Sequence, residues 1–306
     1  MVFLLYGGIR PTLSRRIILW FFAFGLALCQ GGALAQERQP VRIGVLAYSG
    51  SEAALADWSH VTAHLDKALP AYHFSLGFYD AKGLEAAVDR QEVSFVITNG
   101  GHYVSLEAEY GVSRIATLET PDAVSPEQAI GSAVIARAAR HDLAVLADLK
   151  GKRLAAVSPD AFGGYLVAVR EFRRAGIEPE YDMGSIEFVG FPMQRVVQAV
   201  ADGRADAGIV RACLLETMAR NGMVDLADFK VLSPRPVAGF NCGLSSELYP
   251  DWLIATTRAT DRRLAGAVAT ALLSVPPTPD GFSWGVPADY RSVHELYREL
   301  KTGPYT

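Results

Sequence analysis

Asn99-Gly100-Gly101-His102-Tyr103 follows the strand-forming run Phe95-Val96-Ile97-Thr98 and leads into the apolar-periodic residues Val104, Leu106, Ala108 and Tyr110. That spacing predicts a strand, a tight turn and a helix. The first N–H groups of a helix have no intrahelical acceptor and carry a partial positive charge, so a helix entered this way suits an anion. Asn99, His102 and Tyr103 bring side-chain donors to the same turn. The arrangement recurs at Gly44-Val45-Leu46-Ala47-Tyr48-Ser49-Gly50-Ser51, with Ser51 expected to cap its helix. It recurs again from Leu154 to Gly164, where Ser158, Asp160 and Phe162 occupy the turn. Arg211 directly follows a predicted strand, Ala207 to Val210, and a guanidinium there can hold two oxygens of one anion. Each residue also has an ordinary role open to it. Asn99 and the glycines could simply shape a turn, one of Ser158 and Asp160 is expected to cap the following helix, and His102 could be a satisfied structural group. Tyr48 and Phe162 could be packing aromatics, and Arg211 a surface ion pair.

Other chemistries find less support. The chain has no G-x-S-x-G elbow, no H-E-x-x-H, no phosphate loop of the Walker type and no G-x-G-x-x-G run. Reversible binding is therefore expected rather than catalysis, with no cofactor and no metal. A net charge of −4 with interspersed signs gives no footprint for nucleic acid. Any anion must be held locally.

Arg10, Arg15 and Arg16 precede an apolar run from Ile17 to about Cys29, and Ala33-Leu34-Ala35 forms an A-x-A pattern before Gln36. This predicts a signal peptide spanning residues 1–35, because the run is shorter than the roughly 20 residues that cross a bilayer. Leu28 before Cys29 does not fit a lipobox. Export would leave Cys213 and Cys242 in an oxidising compartment, either as one disulfide or as two buried thiols.

The elements that must position these residues alternate. Val41–Leu46, Phe74–Phe78, Phe95–Asn99 and Arg114–Leu118 read as strands separated by helical segments, including one whose face carries Leu55, Trp58, Val61, Leu65 and Leu69. From Ala129 the β-α-β rhythm restarts, with strands at 130–136, 153–157, 187–191 and 207–210 and a helix from Ala161 to Ala175. After Val231-Leu232-Ser233-Pro234-Arg235-Pro236 the chain returns through a predicted strand at Gly239–Leu244 and helices at 261–273 and 289–300. The expectation is a two-lobed α/β fold. Each lobe is a mostly parallel sheet flanked by helices, with two hinge crossings, one lobe comprising residues 41–129 plus 234–306 and the other 130–233.

Ile43-Gly44-Val45-Leu46-Ala47-Tyr48, Asn99-Gly100-Gly101-His102-Tyr103, Asp148-Leu149-Lys150-Gly151-Lys152, Ser158-Pro159-Asp160 and Gly203-Arg204-Ala205-Asp206-Ala207 occur in the order of one known family. The chain resembles the phosphate/phosphite/phosphonate-binding (PhnD-like) periplasmic solute-binding proteins, which have the type II binding-protein fold. Within it, the chain is most similar to the branch serving as input domains of sensor kinases for sulfur oxyanions such as tetrathionate. The resemblance implies a small oxyanion ligand, and as partner either an inner-membrane ABC permease or a separate sensor histidine kinase. It implies ligand contacts from Tyr48, Asn99, His102, Tyr103, Ser158, Asp160 and Phe162. Asp206 resembles an acid that some members place on a ligand amine and that in others only braces the hinge. Ser158-Pro159-Asp160 departs from the run of small hydroxyl residues usual in phosphonate binders, and Leu300-Lys301-Thr302-Gly303-Pro304-Tyr305 resembles the point where a kinase would continue into its membrane helix. A third reading is a redox protein acting through Cys213 and Cys242.

Overall fold

The computed structural model describes residues 37–48 and 50–306; the expected signal peptide, with Cys29, and Ser49 lie outside the described residues. The residues from Gln39 to Thr306 form one compact unit built on two sheets.

The chain enters through β1 (Gln39–Leu46), whose Val41, Ile43, Val45 and Leu46 are buried. Helix α1 (Ser51–Ala68) follows, burying Trp58, Val61 and Leu65 at helical spacing while Leu55 is exposed. Its cap is Gly50 at φ 91°, a backbone conformation that glycine adopts without penalty, and Ser51 is the first helical residue rather than the cap. Next come β2 (Tyr72–Tyr79), α2 (Ala81–Asp89), β3 (Phe95–Thr98), α3 (Gly100–Tyr110) and β4 (Ser113–Glu119). Asp80 caps α2 by accepting the Gly83 N–H at 2.7 Å.

Residues 120–131 then cross to β5 (Ser132–Arg137) and β6 (Arg153–Ala156). A π-helical turn at Phe162–Leu166 opens α4 (Val167–Arg174). The segment continues through α5 (Pro179–Asp182), β7 (Ser185–Phe188), α6 (Gln194–Ala201), β8 (Ala207–Arg211), α7 (Leu214–Arg220) and β9 (Phe229–Val231). A second crossing leads back to β10 (Leu253–Thr256), α8 (Arg262–Leu273), β11 (Ser283–Gly285) and α9 (Arg291–Leu300).

One sheet has the order β11-β4-β10-β3-β1-β2 and the other β7-β6-β8-β5-β9. Both are mixed. The β-α-β units give parallel pairs, β1 with β2 and β3, and β6 with β7 and β8. The strands that begin after a crossing, β5 and β10, insert antiparallel to both of their neighbours. The crossings themselves meet at an antiparallel bridge, where Ile130 N–H donates to Tyr249 O at 2.9 Å and Tyr249 N–H to Ile130 O at 2.8 Å.

The expected strand at 239–244 is not formed. Its residues turn back, with Phe240 N–H donating to Val237 O, and pack Phe240 and Leu244 against Ala212. A disulfide between Cys213 and Cys242, with Cα atoms 5.0 Å apart, fastens this turn to the start of α7. A bridge of this kind stabilises a fold by about 2–4 kcal/mol, in the standard account by limiting the unfolded chain. The two sheets are also tied by Arg170 of α4, which is almost fully buried. It forms a two-pronged pair with Glu299 of α9 at 2.5 Å and donates to the Tyr249 hydroxyl at 2.8 Å. Among the described residues no helix is long and apolar enough to cross a membrane, and no group of His, Cys, Asp and Glu is placed to hold a metal.

Candidate functional site

Because β1 and β3 are parallel neighbours, their carboxyl ends arrive at one edge of the sheet, where ligands of open α/β sheets bind. Tyr48 lies two residues beyond β1 and Asn99 one beyond β3. Asn99 is the N-cap of α3: its Oδ1 accepts the His102 N–H at 3.0 Å, and its Nδ2 donates to the Tyr48 hydroxyl at 2.5 Å. The Gly100 and Gly101 amides begin this helix and have no acceptor within it. Burial, reinforced by the nearby charge of Asp160, pushes the Tyr48 hydroxyl well above the usual tyrosine range, even though Asn99 opposes the shift. Tyr48 is therefore a neutral donor.

The second sheet repeats the plan with β6 and β8, which are parallel neighbours. Ser158 lies two residues beyond β6, and Arg211 is the last residue of β8. Here the helix start carries no side-chain cap. Its N-cap is Ala161, Ser158 is half-buried, Asp160 is exposed, and neither bonds a helix N–H. The opening turn closes through Leu166 N–H to Ala161 O at 3.0 Å, a five-residue span that leaves the amides of the first π-turn pointing forward. The Arg211 stem lies over this start: a methyl group placed on Gly163 would be 3.5 Å from Arg211 Cγ. Ser132, opposite Arg211 in the β5 register, donates its hydroxyl to Gly163 O at 2.7 Å and so fixes the turn. Among the described residues the Arg211 guanidinium makes no hydrogen bond and no ion pair.

The two edges face each other and touch at their rims. The Tyr48 ring stacks on Phe191 with centroids 4.9 Å apart and 13° between planes, and Trp252 meets Tyr48 edge-on at 6.3 Å. Phe162 packs on Tyr249 at 5.6 Å and Tyr297 at 6.4 Å. A methyl group at Gly101 would come within 2.8 Å of the Phe162 ring and strike the Tyr297 hydroxyl, so only glycine admits this approach. Burial above all, with the charge of Asp160 adding to it, pushes Tyr297 well above the usual tyrosine range.

Tyr48, Asn99, Ser158, Asp160, Phe162 and Arg211 thus gather around one cleft, and three expected residues do not join them. His102 turns behind β3: its Nδ1 is hydrogen-bonded to Thr98 Oγ1 at 3.0 Å, and its Nε2 is 3.4 Å from Glu85 Oε1, an ion-pair distance without hydrogen-bond geometry. The Tyr103 hydroxyl donates to Glu107 and accepts from Arg114 at 3.1 Å, beside a cavity of about 320 Å³ lined by Glu107, Arg114, Tyr290 and His294. On a helix, residues two and three positions past the first turn's leading amides point to other sides of the cylinder. Asp206 precedes β8 and so lies at the strand end opposite Arg211, about 15 Å away at the usual rise per residue. It accepts from Arg140 at 2.5 Å and from the Arg153 N–H at 2.9 Å. Although its burial opposes the shift, these bonds hold the carboxyl well below the usual range.

Phe191, Trp252 and Tyr297, which pack against Tyr48 and Phe162, and Asp251, buried beside Trp252, were missed by the sequence reading. Phe191 follows a strand end, the one positional signal available. Trp252, Tyr297 and Asp251 come from the second crossing and the last helix, and no local pattern marks them.

A family model described as the periplasmic substrate-binding protein of a phosphonate ABC transporter matches residues 43–287. Over 263 residues the chain is 34% identical to the tetrathionate sensor histidine kinase TtrS of Salmonella typhimurium, covering 86% of this chain and 44% of that protein, so it spans under half of that relative's length. Among solved structures it is similar to PhnD1 from Prochlorococcus marinus in complex with methylphosphonate, at TM-score 0.66 and 14% identity, covering 86% of this chain and 98% of the other. It is also similar to a binding protein component of an ABC phosphonate transporter from Pseudomonas aeruginosa, at TM-score 0.67 and 12% identity, covering 87% of each chain. These structures share its two-sheet, type II periplasmic binding-protein fold.

Proposed function

The chain belongs to the family of periplasmic substrate-binding proteins of phosphonate ABC transporters, and from that membership we propose that it captures a small oxyanion between its two sheets and closes over it. The two lobes of the proposal are residues 41–129 plus 234–306 and residues 130–233. The carrying observation is Arg211, whose stem lies over an uncapped helix start and whose guanidinium makes no hydrogen bond or ion pair among the described residues. The proposed contacts are the Gly100 and Gly101 amides, Tyr48, Ser158, the amides after Ala161, and Arg211. Asp160 sits at the rim, where it can accept a hydrogen bond from a ligand hydroxyl or amine. Asn99 acts by capping α3 and orienting Tyr48.

Capture is reversible and needs no bond making, so the protein is a binder and not an enzyme. The disulfide serves it as a structural staple. The site of action is the periplasm, reached through the signal peptide of residues 1–35. The family description supports delivery to an ABC permease. The 34% identity to a sensor kinase supports a second reading, presentation of the anion to a separate sensor kinase.

Thermal melting of the purified protein with phosphate, phosphite, methylphosphonate, thiosulfate, tetrathionate and arsenite tests the binding claim, because a ligand of the folded state alone raises the melting temperature. A selective rise with one anion, abolished in Arg211→Gln, is the expected result. Melting curves unmoved by all six would overturn the proposal. Genes beside this one then separate the partners: a permease and ATPase indicate uptake, a kinase and response regulator indicate sensing.

A further inference from the structure

Asp251 is 1% exposed and lies in the second crossing, two residues past the bridge between Ile130 and Tyr249. Three of its polar groups are engaged. Its N–H donates to Pro126 O at 2.9 Å, its carbonyl accepts the Tyr290 hydroxyl at 2.6 Å, and its Oδ1 accepts the Trp252 N–H at 2.8 Å. Oδ2 is buried and completes no hydrogen bond of full geometry, although the Thr120 hydroxyl faces the carboxyl. Buried carboxylate oxygens normally have donors, so this one is an exception that calls for a role.

The cation that acts on Asp251 is Arg211. The backbone brings them together: Ala212 N–H donates to Gly131 O at 2.9 Å, joining the end of β8 to the first crossing beside the same bridge. The other groups facing Asp251 are the neutral Thr120, just past β4, Trp252, and Tyr290 before α9; beyond Tyr290 lie Tyr103 and the cation Arg114. In the cleft reading one guanidinium therefore acts on two anions, the buried carboxylate and the ligand.

We propose that Asp251 acts through Arg211 as a proton-linked positioning residue: when Arg211 takes hold of an oxyanion, Asp251 Oδ2 takes up one proton from solvent, and anion and proton bind together. The inference rests on the cleft reading above. Burial already pushes the Asp251 carboxyl up to about 6 against the opposing charge of Arg211. An anion on Arg211 screens that charge and pushes the carboxyl higher still. The bound state then holds more protons than the free state, so affinity rises as pH falls. Between the free and bound values of Asp251 the affinity changes by about tenfold per pH unit at most.

The test is calorimetric titration of the purified protein with thiosulfate, tetrathionate and methylphosphonate, in buffers of different ionisation enthalpy and at several pH values. Thiosulfate and tetrathionate are fully ionised near neutrality, and the proton of methylphosphonate is subtracted from its own titration. The expected result is proton uptake that rises above pH 6 and is largest about one pH unit higher, between the free and bound values, with tighter binding at lower pH and loss of both in Asp251→Asn with anion binding retained. In the wild type a carboxylic-acid band appears in the bound-minus-free infrared spectrum, a readout that does not depend on the variant folding. Anion binding without proton uptake overturns this inference and leaves the cleft reading standing. No binding of these three, with melting curves unmoved by all six anions above, overturns both.

Discussion

The helix starts at Asn99 and at Ser158 look alike in sequence and differ in what they leave open. At the first, Asn99 occupies the cap, bonds the His102 N–H and anchors Tyr48, so the helix end is satisfied in part by its own side chain. At the second, no side chain caps the helix, a π turn widens its mouth, and the free Arg211 lies across it. In the proposed reading both edges offer donors to the anion, the first through the Gly100 and Gly101 amides and Tyr48, the second through an uncapped helix start and Arg211. The same strand–turn–helix signature therefore leaves different donors open, according to which of them a neighbouring side chain has already used.

The comparison is most directly broken by Arg211→Gln. A hydrogen bond to a charged group contributes about 1.5–3 kcal/mol, so calorimetry should show oxyanion affinity falling by roughly 10- to 150-fold with the melting temperature of the free protein little changed. If affinity is retained, the second edge is not the acceptor. Gly101→Ala comes next, because its methyl group meets Phe162 and Tyr297. Overpacking of this kind costs about 1–3 kcal/mol, and X-ray scattering should record a more open shape and weaker binding; an unaltered profile would show that the rims need not touch. Asn99→Ala removes a cap, with an expected loss of about 1 kcal/mol of stability in denaturant titration and a smaller loss of affinity through the released Tyr48. Ser158→Ala should be the mildest for the fold, within about 0.5 kcal/mol, since Ser158 caps nothing. Its effect belongs in binding, several-fold, and a large drop in stability would return Ser158 to a structural role.

Much of the fold was legible because it depends on local pattern. Alternating and 3.6-residue apolar spacing marked β1, α1, β3, α3 and β8, and the signature turns marked which strand ends matter. The expected residues that do not join the others were misplaced by contacts that the local pattern does not show. His102 and Tyr103 sit beside the cleft in sequence, but their helical positions carry their side chains to Thr98 and Glu85 and to Glu107 and Arg114. Asp206 lies in the same strand segment as Arg211, yet at the other end, where Arg140 and Arg153 hold it.

The sequence by itself determined the α/β alternation, the two passages between sheets, and the placement of Tyr48, Asn99, Ser158 and Arg211 at strand ends, because periodicity and turn chemistry act over a few residues. Tertiary structure alone decided which of the donors at those ends stay free, that Cys213 and Cys242 are joined, and that Asp251 is buried within the field of Arg211. Those outcomes depend on partners 29 to 51 or more residues away, and a hydrogen-bonding group's state is set by whatever is folded against it.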